Sequence, residues 1–390
     1  MIMIAKWFIH LSLLATVLLI ASAAQATPIT ASLNGYDLVK VGDANNAAQS
    51  GATGTGSTNQ NGYGAVTTDF WIGKNQVTIG QYAEFLNAVA KTNDRGLYSA
   101  SMNTDQRIRG IEQSGSSGSF VYTVVGPDGT NPLGAQSAAN RPITFVSWFD
   151  SARFANWMAN GKPTGAAGST TTDNGAFNLG TATTGNAPAL NATNPNTGAT
   201  PTFSIPTENQ WYKAAYYSPV KGGPSTPGYF LYGTGSDDPP GNGWNGTAAL
   251  ASKDLANQAS YRISNRYAVT GGNSNPGVSG EQNILTDVGA FTNTYSYYGA
   301  FDMSGNAWDW NDLAGVAGSS RGVRGGNWSS DASNVSSAVR FAIDHLGGNN
   351  FVGFRLASPV PEPATLGIAS GGVMVACGWW MLKRRRRART

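Results

Sequence analysis

One stretch of the sequence decides the fold, YGAFDMSGNAWDW at residues 298–310. Its two aspartates, Asp302 and Asp309, are typical of a tight turn in which carboxylates accept hydrogen bonds from neighbouring backbone amides. Its two tryptophans, Trp308 and Trp310, are most simply core residues, because large aromatic side chains stabilise a fold most when they are buried. The stretch therefore predicts a turn that leads into a buried segment.

Three amphipathic helices are predicted upstream of this stretch. The first carries an apolar stripe that predicts packing against a core, formed by Tyr82, Phe85, Leu86 and Val89. Two helices begin at capping boxes, in which a threonine stands three residues before a glutamine: Thr78 with Gln81, and Thr207 with Gln210. The other begins at Ser147, where Asp150 places a negative charge near the helix N-terminus.

Short strands are predicted around these helices, at residues 120–125, 203–205, 322–324, 339–343 and 353–357. Residues 161–202 are mostly small and polar, which predicts a long surface excursion with one hairpin near Phe177. Few helices, many short strands and long irregular segments together indicate an α+β domain.

Six blocks, in this order along residues 65–357, resemble the formylglycine-generating enzyme (sulfatase-modifying factor) superfamily. They lie at residues 75–85, 141–157, 205–211, 298–310, 324–328 and 353–355. The resemblance implies the α+β fold of that superfamily, which is related to C-type lectins and has long irregular loops. We expect this domain to span residues 27–358.

The family's catalytic residues are not preserved. Members that oxidise a sulfatase cysteine to formylglycine use copper, oxygen and two cysteines that lie five residues apart. The corresponding positions fall near Ser330 and Val335, and neither side chain replaces a thiolate as a Cu(I) ligand. A related branch holds iron through three histidines, whereas residues 27–358 contain only His345. We therefore expect no copper and no iron.

The resemblance also implies a calcium site within residues 298–310. Its ligands would be the side chains of Asp302 and Asp309 and the backbone oxygens of Gly305 and Ala307. Carboxylate and carbonyl oxygens suit calcium, although Asp309 replaces the family's glutamate and is one methylene shorter. The alternative is the amide-capping turn described above. A second, weaker site would begin near Asn257.

Several other side chains are candidates for a binding groove. Trp328 and Arg340 are the main ones, although Trp328 is most simply a core residue. Arg324 and Arg355 could line the same groove. The alternative is that these arginines form ion pairs inside the fold, with partners among Asp302, Asp309, Asp331 and Asp344. His345 follows Asp344, but no nucleophile is arranged with them, which favours a loop histidine.

The N-terminus predicts export from the cytoplasm. Lys6 precedes an apolar run at residues 7–20, and Ala24 and Ala26 provide the small residues that signal peptidase requires. Residues 1–26 are therefore predicted to be a signal peptide. The alternative is a transmembrane anchor that is retained.

The C-terminus, residues 359–390, predicts a membrane anchor. Residues 364–382 are uncharged and about 19 long, roughly 28 Å as a helix, which is enough to cross a bilayer. Six basic residues follow and are expected to stay in the cytoplasm, although a nucleic-acid-binding tail is the alternative.

Together with Pro361, Glu362 and Pro363, the C-terminal segment resembles a PEP-CTERM sorting signal. The resemblance implies the envelope of a Gram-negative bacterium and processing by an exosortase. The protein would be held at the inner membrane and would then reach the outer surface or the medium.

The composition limits the class of partner. Charged residues make up only 12 % of the chain. Without Lys6 and the six basic residues of the tail, 18 basic residues face 22 acidic ones, a net charge of −4. Such a surface argues against a nucleic-acid partner. The one cysteine, Cys377, lies in the predicted membrane helix.

These observations predict an exported, envelope-anchored or exosortase-processed member of the family that acts as a non-catalytic binding module. Glycan, matrix or peptide ligands suit such a module, since loops on a constant scaffold carry recognition. The alternatives are an active formylglycine-generating enzyme, another metal-dependent oxidoreductase of the superfamily, or structural cargo of the sorting system.

Overall fold

The computed structural model describes residues 27–50, 62–126, 138–269, 284–313, 318, 320–344 and 348–359. The predicted signal peptide with Ala24 and Ala26 lies outside these ranges, as does His345. The motif of Pro361, Glu362 and Pro363 and the predicted membrane helix at residues 364–382 also lie outside them. Within the described ranges, no helix has the length and apolar character needed to span a bilayer.

The α-helices of the described ranges are α1 (Ile79–Val89), α2 (Ser101–Thr104), α3 (Trp148–Ala159) and α4 (Glu208–Tyr216), and a short 3-10 helix lies at Ala138–Asn140. The three predicted starts are confirmed, because the cap side chain and the third helical residue exchange hydrogen bonds at Thr78, Ser147 and Thr207. Ser147 with Asp150 is thus a third capping box. Since a capping side chain stabilises a helix by about 1 kcal/mol, these short motifs fix where the helices begin.

Fourteen short strands are present in the described part of the chain. They are β1 (Thr30–Leu33), β2 (Tyr36–Val41), β3 (Phe70–Gly73), β4 (Ile111–Ser114), β5 (Val121–Val124), β6 (Tyr217–Ser218), β7 (Gly228–Tyr229), β8 (Arg262–Ile263), β9 (Arg266–Tyr267), β10 (Trp308–Asn311), β11 (Ser320–Arg324), β12 (Phe341–Asp344), β13 (Val352–Gly353) and β14 (Ala357–Pro359). The predicted strands at residues 120–125, 322–324 and 339–343 correspond to β5, β11 and β12.

Two four-stranded sheets form the centre of the molecule. Sheet one has the order β1-β2-β3-β14, and all of its neighbours are antiparallel. Sheet two has the order β12-β11-β10-β13, in which only β10 and β13 run parallel. Sheet one therefore joins strands from the start of the domain to the last strand described.

The predicted strand at residues 353–357 is wrong in its middle, where the chain passes from one sheet to the other. Gly353 pairs with Asp309 of sheet two, whereas Ala357 pairs with Ile72 of sheet one. The residues between them therefore belong to neither sheet. The predicted strand at residues 203–205 is also wrong, since only a single bridge forms there, from Ser204 to Ala357.

The apolar core lies against both sheets. Helices α1 and α3 contact each other through aromatic rings, with Phe85 at 5.3 Å from both Phe154 and Trp157 between ring centroids. Helix α4 packs in a second cluster, where Trp211 and Ile72 of sheet one are fully buried. These contacts hold α4 beside the segment at residues 298–310.

The segment at residues 161–202 lies mostly at the surface, as predicted, but residues 171–179 enter the interior. Phe177 is inaccessible and packs on Trp148 at 5.1 Å between ring centroids. Asp173 forms buried ion pairs with Arg153 and with Arg95, which allows a polar segment to enter the interior. Phe177 forms an isolated antiparallel bridge at the position of the predicted hairpin.

Candidate functional site

Residues 302–306 form a tight turn before β10. Asp302 has φ +54°, and its Oδ2 accepts a hydrogen bond from the backbone N–H of Gly289 at 2.7 Å. Burial raises the pKa of Asp302 to about 6, although that hydrogen bond and Arg355 oppose the shift. The hydrogen bond from Gly289 shows that the side chain of Asp302 caps a backbone amide. Gly305 has φ +87°, and a Cβ at this position would lie 2.3 Å from the carbonyl oxygen of Ser260, so the turn requires glycine there.

The buried carboxylate of Asp309 accepts hydrogen bonds on both of its oxygens. Oδ1 accepts from Gln76 Nε2 at 3.0 Å, and Oδ2 accepts from Trp211 Nε1 at 2.9 Å. Oδ2 also forms an ion pair with Arg355 Nε at 2.6 Å, with both side chains at most 1 % exposed. For this arginine, the interpretation as an internal ion pair is confirmed.

Arg355 connects the two sheets at the point where the chain crosses between them. Its Nη1 donates to the carbonyl oxygen of Gly73 in β3 at 3.0 Å. Its Nη2 donates to the carbonyl oxygens of Phe301 at 2.9 Å and Asp302 at 3.3 Å. A cationic side chain therefore already contacts the turn in which calcium is predicted.

The described residues do not fit the predicted calcium site. Calcium takes about six to eight oxygen ligands with available lone pairs. The carbonyl oxygen of Ala307 accepts from Gln76 Nε2 at 2.7 Å, and both Asp309 oxygens face nitrogen donors. Gly305 lies directly against the backbone of Ser260.

The weaker calcium position, Asn257, has a structural role. It has φ +54°, and its Oδ1 accepts from Thr234 Oγ1 at 2.6 Å. Its Nδ2 donates to the carbonyl oxygens of Asp238 at 3.2 Å and Pro239 at 3.4 Å. The Asn257 side chain therefore joins two loops.

The two positions where the family has cysteines are also structural. The hydroxyl of Ser330 accepts from the backbone N–H of Asn327 at 3.0 Å. Val335 is fully buried in a cluster with Tyr232 and Tyr261, and its carbonyl oxygen accepts a hydrogen bond from Ser304. Neither side chain supplies a redox-active ligand or a thiol.

Trp328 lies in the core, which confirms its simplest interpretation and leaves it outside the candidate groove. Its side chain is 3 % exposed, and its ring packs against Phe351 at 5.1 Å and Tyr267 at 5.7 Å between centroids. Its Nε1 donates to the carbonyl oxygen of Asn350 at 3.1 Å.

Arg324 and Arg340 share one carboxylate, that of Glu208 at the start of α4. Arg324 Nη2 lies 2.7 Å from Glu208 Oε1, and its guanidinium stacks between Tyr63 and Tyr212, 4.8 Å from each ring centroid. Arg340 Nε lies 2.8 Å from the same oxygen, and the Arg340 side chain is 27 % exposed. Glu208 is not among the partners predicted from the sequence. An acidic residue in the first turn of a helix is expected from the helix dipole alone, so its position does not indicate an ion pair with a distant arginine.

A cavity of about 430 Å³ lies beside the turn at residues 302–306. It is lined by Asn140, Lys253, Asp287, Val288, Gly289, Ala290 and Thr292. Gly289 also donates to Asp302, so the loop that forms the cavity wall is held by the turn. None of the lining residues belongs to the motifs that identify the family in the sequence.

Asp287 is the buried acidic residue of this cavity. It is 7 % exposed, and its Oδ1 has no hydrogen-bond partner. The nearest cationic atom, Arg141 Nε, lies 3.9 Å from that oxygen. Burial raises the pKa of Asp287, and the charge of Arg141 opposes the shift.

Donors lie on the rim of the same cavity. Lys253 Nζ contacts Asp254 at 2.7 Å, and Thr292 Oγ1 donates to the same carboxylate at 2.8 Å. Asn140 is exposed, and its backbone oxygen accepts from Val288. The cavity thus combines a buried acceptor with an ammonium group, an amide and a hydroxyl.

Comparisons with solved structures find chains that align with most of this one. Treponema denticola variable protein 1 is 19 % identical, with a TM-score of 0.43 over 86 % of this chain and 100 % of that chain. CarF is 18 % identical, with a TM-score of 0.43 over 84 % and 100 %. PvdO from Pseudomonas aeruginosa is 15 % identical, with a TM-score of 0.43 over 86 % and 100 %. No curated protein matches the chain significantly.

A match between the sequence and a family model identifies the family of this chain. The model of the sulfatase-modifying factor enzyme 1-like domain matches residues 38–360. This range covers both sheets except β1, all the helices and the turn at residues 302–306. The chain therefore belongs to the family of the sulfatase-modifying factor enzyme 1-like domain.

Proposed function

We propose that this protein is an exported, non-catalytic member of its family that binds a glycan unit in the cavity around Asp287. Export rests on the signal-peptide pattern at Ala24 and Ala26. Anchoring rests on the apolar segment at residues 364–382, and exosortase processing rests on the Pro361-Glu362-Pro363 motif. The ligand would then be met in the envelope or outside the cell.

The observation that carries the proposal is the carboxyl group of Asp287, which lines the cavity although the residue is largely buried. Its Oδ1 atom is inaccessible and has no hydrogen-bond partner, so a ligand would meet the part of the side chain that remains exposed. A hydroxyl group that donates to a carboxylate forms a charge-assisted hydrogen bond, which is stronger than one between neutral groups. The cavity volume also lies within the range of about 300–1,000 Å³ that is usual for small-ligand sites.

A polyhydroxylated ligand suits the cavity better than an anion or an apolar molecule. Hydroxyl groups both donate and accept, so they match the Asp287 carboxylate and the donors of Lys253 and Asn140 together. An anionic group placed at Asp287 would face a carboxylate at close range and be repelled. An apolar group would leave the same carboxylate unsatisfied.

The absence of thiols from the family's cysteine positions supports binding rather than oxidation. Ser330 holds a turn and Val335 fills an aromatic cluster, so both positions stabilise the fold. The one cysteine of the chain, Cys377, lies outside the domain. A copper–thiolate reaction therefore has no ligands at these positions.

A binding experiment with the full-length, detergent-solubilised protein tests the proposal. A glycan array would identify a ligand, and calorimetry would measure its affinity. Asn140→Ala and Thr292→Val each remove a polar group from the rim, and we expect each to weaken binding by about three- to tenfold. Asp287→Asn should weaken it further. Asp237→Asn, an exposed aspartate paired with Lys221, is the matched control and should bind normally.

Three outcomes would overturn the proposal. Equal affinity of the cavity variants and the control would place the ligand elsewhere, and no glycan binding at all would favour structural cargo. Loss of the thiol from a Cys-x-Pro-x-Arg peptide, with oxygen consumption in the presence of copper, would establish the oxidase alternative.

A further inference from the structure

We infer that the Gln76 amide takes the place of the calcium ion implied by the family resemblance, so that nitrogen donors of Gln76 and Arg355 hold residues 302–309. Two of the predicted calcium ligands, the Ala307 carbonyl and the Asp309 carboxylate, accept hydrogen bonds from Gln76. The carboxylate of Asp309 and the carbonyl of Asp302 contact Arg355. The assignment goes beyond ligand binding in the cavity and does not depend on it.

Gln76 occupies the position between two oxygen atoms where a cation would lie. Its side chain is inaccessible, and Nε2 lies 2.7 Å from the Ala307 oxygen and 3.0 Å from Asp309 Oδ1. Both neighbours can only accept hydrogen bonds, so the amide must present its nitrogen to them. Calcium binds oxygen at about 2.3–2.6 Å, so an ion placed where Nε2 now lies between these two oxygens would require the amide to move.

Arg355 balances the negative charge of Asp309 without an ion. Its guanidinium is inaccessible and lies 2.6 Å from Asp309 Oδ2. The same group donates to the carbonyl oxygens of Phe301 and Asp302, which precede the turn. A calcium ion bound to Asp309 would therefore meet a like charge within a few ångströms, and in a buried site that repulsion is strong.

The alternative orientation of Gln76 defines the competing state. If the amide rotated, Oε1 would join the Ala307 oxygen and Asp309 Oδ1, and three oxygens would then face one point. In the orientation observed, Oε1 is buried and has no hydrogen-bond partner. The two states exclude each other, because the same space holds either the amide nitrogen or a cation.

Calcium titration of the full-length protein distinguishes them. We expect no calorimetric binding at millimolar calcium, and a Tm that differs by less than about 1 °C between calcium and EGTA. Gln76→Glu replaces the nitrogen donor with an oxygen and adds a negative charge. In EGTA, we expect this variant to have a lower Tm than the wild type. In calcium, its Tm should rise by several degrees, which is the effect of a few kcal/mol of calcium binding to the folded state.

Gln81→Glu is the matched control, since it makes the same change at the capping box of α1 and should not respond to calcium. Gln76→Met, which offers neither donor nor acceptor, should lower the Tm equally with and without calcium. Stoichiometric calcium binding by the wild type, or a wild-type Tm rise of several degrees that Gln76→Met abolishes, would overturn the inference. If Gln76→Glu does not fold, the wild type and Gln76→Met still decide.

Discussion

Replacing Asp309 by asparagine is the sharpest test of how the two sheets are joined. The carboxylate pairs with Arg355 at 2.6 Å, and both side chains are at most 1 % exposed. Removing one partner of a buried ion pair leaves the other charge uncompensated and typically costs about 3–5 kcal/mol. The asparagine oxygen can still accept from Trp211, but its NH2 group would face the Nε2 donor of Gln76. We therefore expect no rescue by the amide.

The loss is measurable by urea unfolding or by thermal unfolding followed by circular dichroism. For a domain of this size, a loss of about 3–5 kcal/mol lowers the Tm by roughly 6–20 °C. Combining Asp309→Asn with Arg355→Met removes both charges. The double variant should be less destabilised than the sum of the single variants, by about 0.5–3 kcal/mol.

An exposed ion pair provides the control. Asp237 lies 2.8 Å from Lys221, and its side chain is 57 % exposed. Asp237→Asn should change the free energy of unfolding by less than about 1 kcal/mol, as is usual for surface pairs. A similarly small loss for Asp309→Asn, or additive effects in the double variant, would refute the view that this buried pair joins the sheets.

Three further predictions concern the turn and the helix caps. Gly305→Ala places a Cβ at 2.3 Å from the Ser260 oxygen with φ +87°, so urea unfolding should show a loss of about 2 kcal/mol or more. Thr78→Ala removes the cap of α1 and should cost about 1 kcal/mol in the same assay. Burial raises the pKa of Asp150 to about 6, although hydrogen bonds from Ser147 oppose the shift. The folded protein therefore holds this proton up to a higher pH than the unfolded chain does, and the wild type loses stability as the pH rises from about 4 to about 6. Asp150→Asn keeps an acceptor for Ser147 and has no proton to lose. The Tm of the variant minus the Tm of the wild type should therefore be more positive at pH 7 than at pH 4.

Local signals in the sequence predicted the helices well. A capping box needs only two side chains three residues apart, so Thr78 with Gln81 and Thr207 with Gln210 are visible without knowledge of the fold. The strands were harder to predict, because a run such as residues 353–357 looks continuous although its two ends pair in different sheets. Pairing across the sheet, rather than the local pattern, divides that run.

The site could not be predicted to the same extent, because its contacts join residues that are distant in the chain. The partner of Arg324 and Arg340 is Glu208, more than 100 residues away, and its position at a helix start gives no hint of that role. Asp287 lies in a loop without a motif, so only the folded structure shows that it is buried beside a cavity.

The residues that identify the family in this chain mostly hold the fold together. Asp309 and Arg355 belong to two of the sequence blocks, and their ion pair lies where the chain crosses between the sheets. A third block ends at Trp211, which donates to the same carboxylate. These side chains are buried and already satisfied by one another, so preserving them preserves the scaffold and says nothing about a reaction. Under the proposed function, recognition of a ligand comes from side chains outside the blocks, and Asp287 is a largely buried residue in the wall of a cavity.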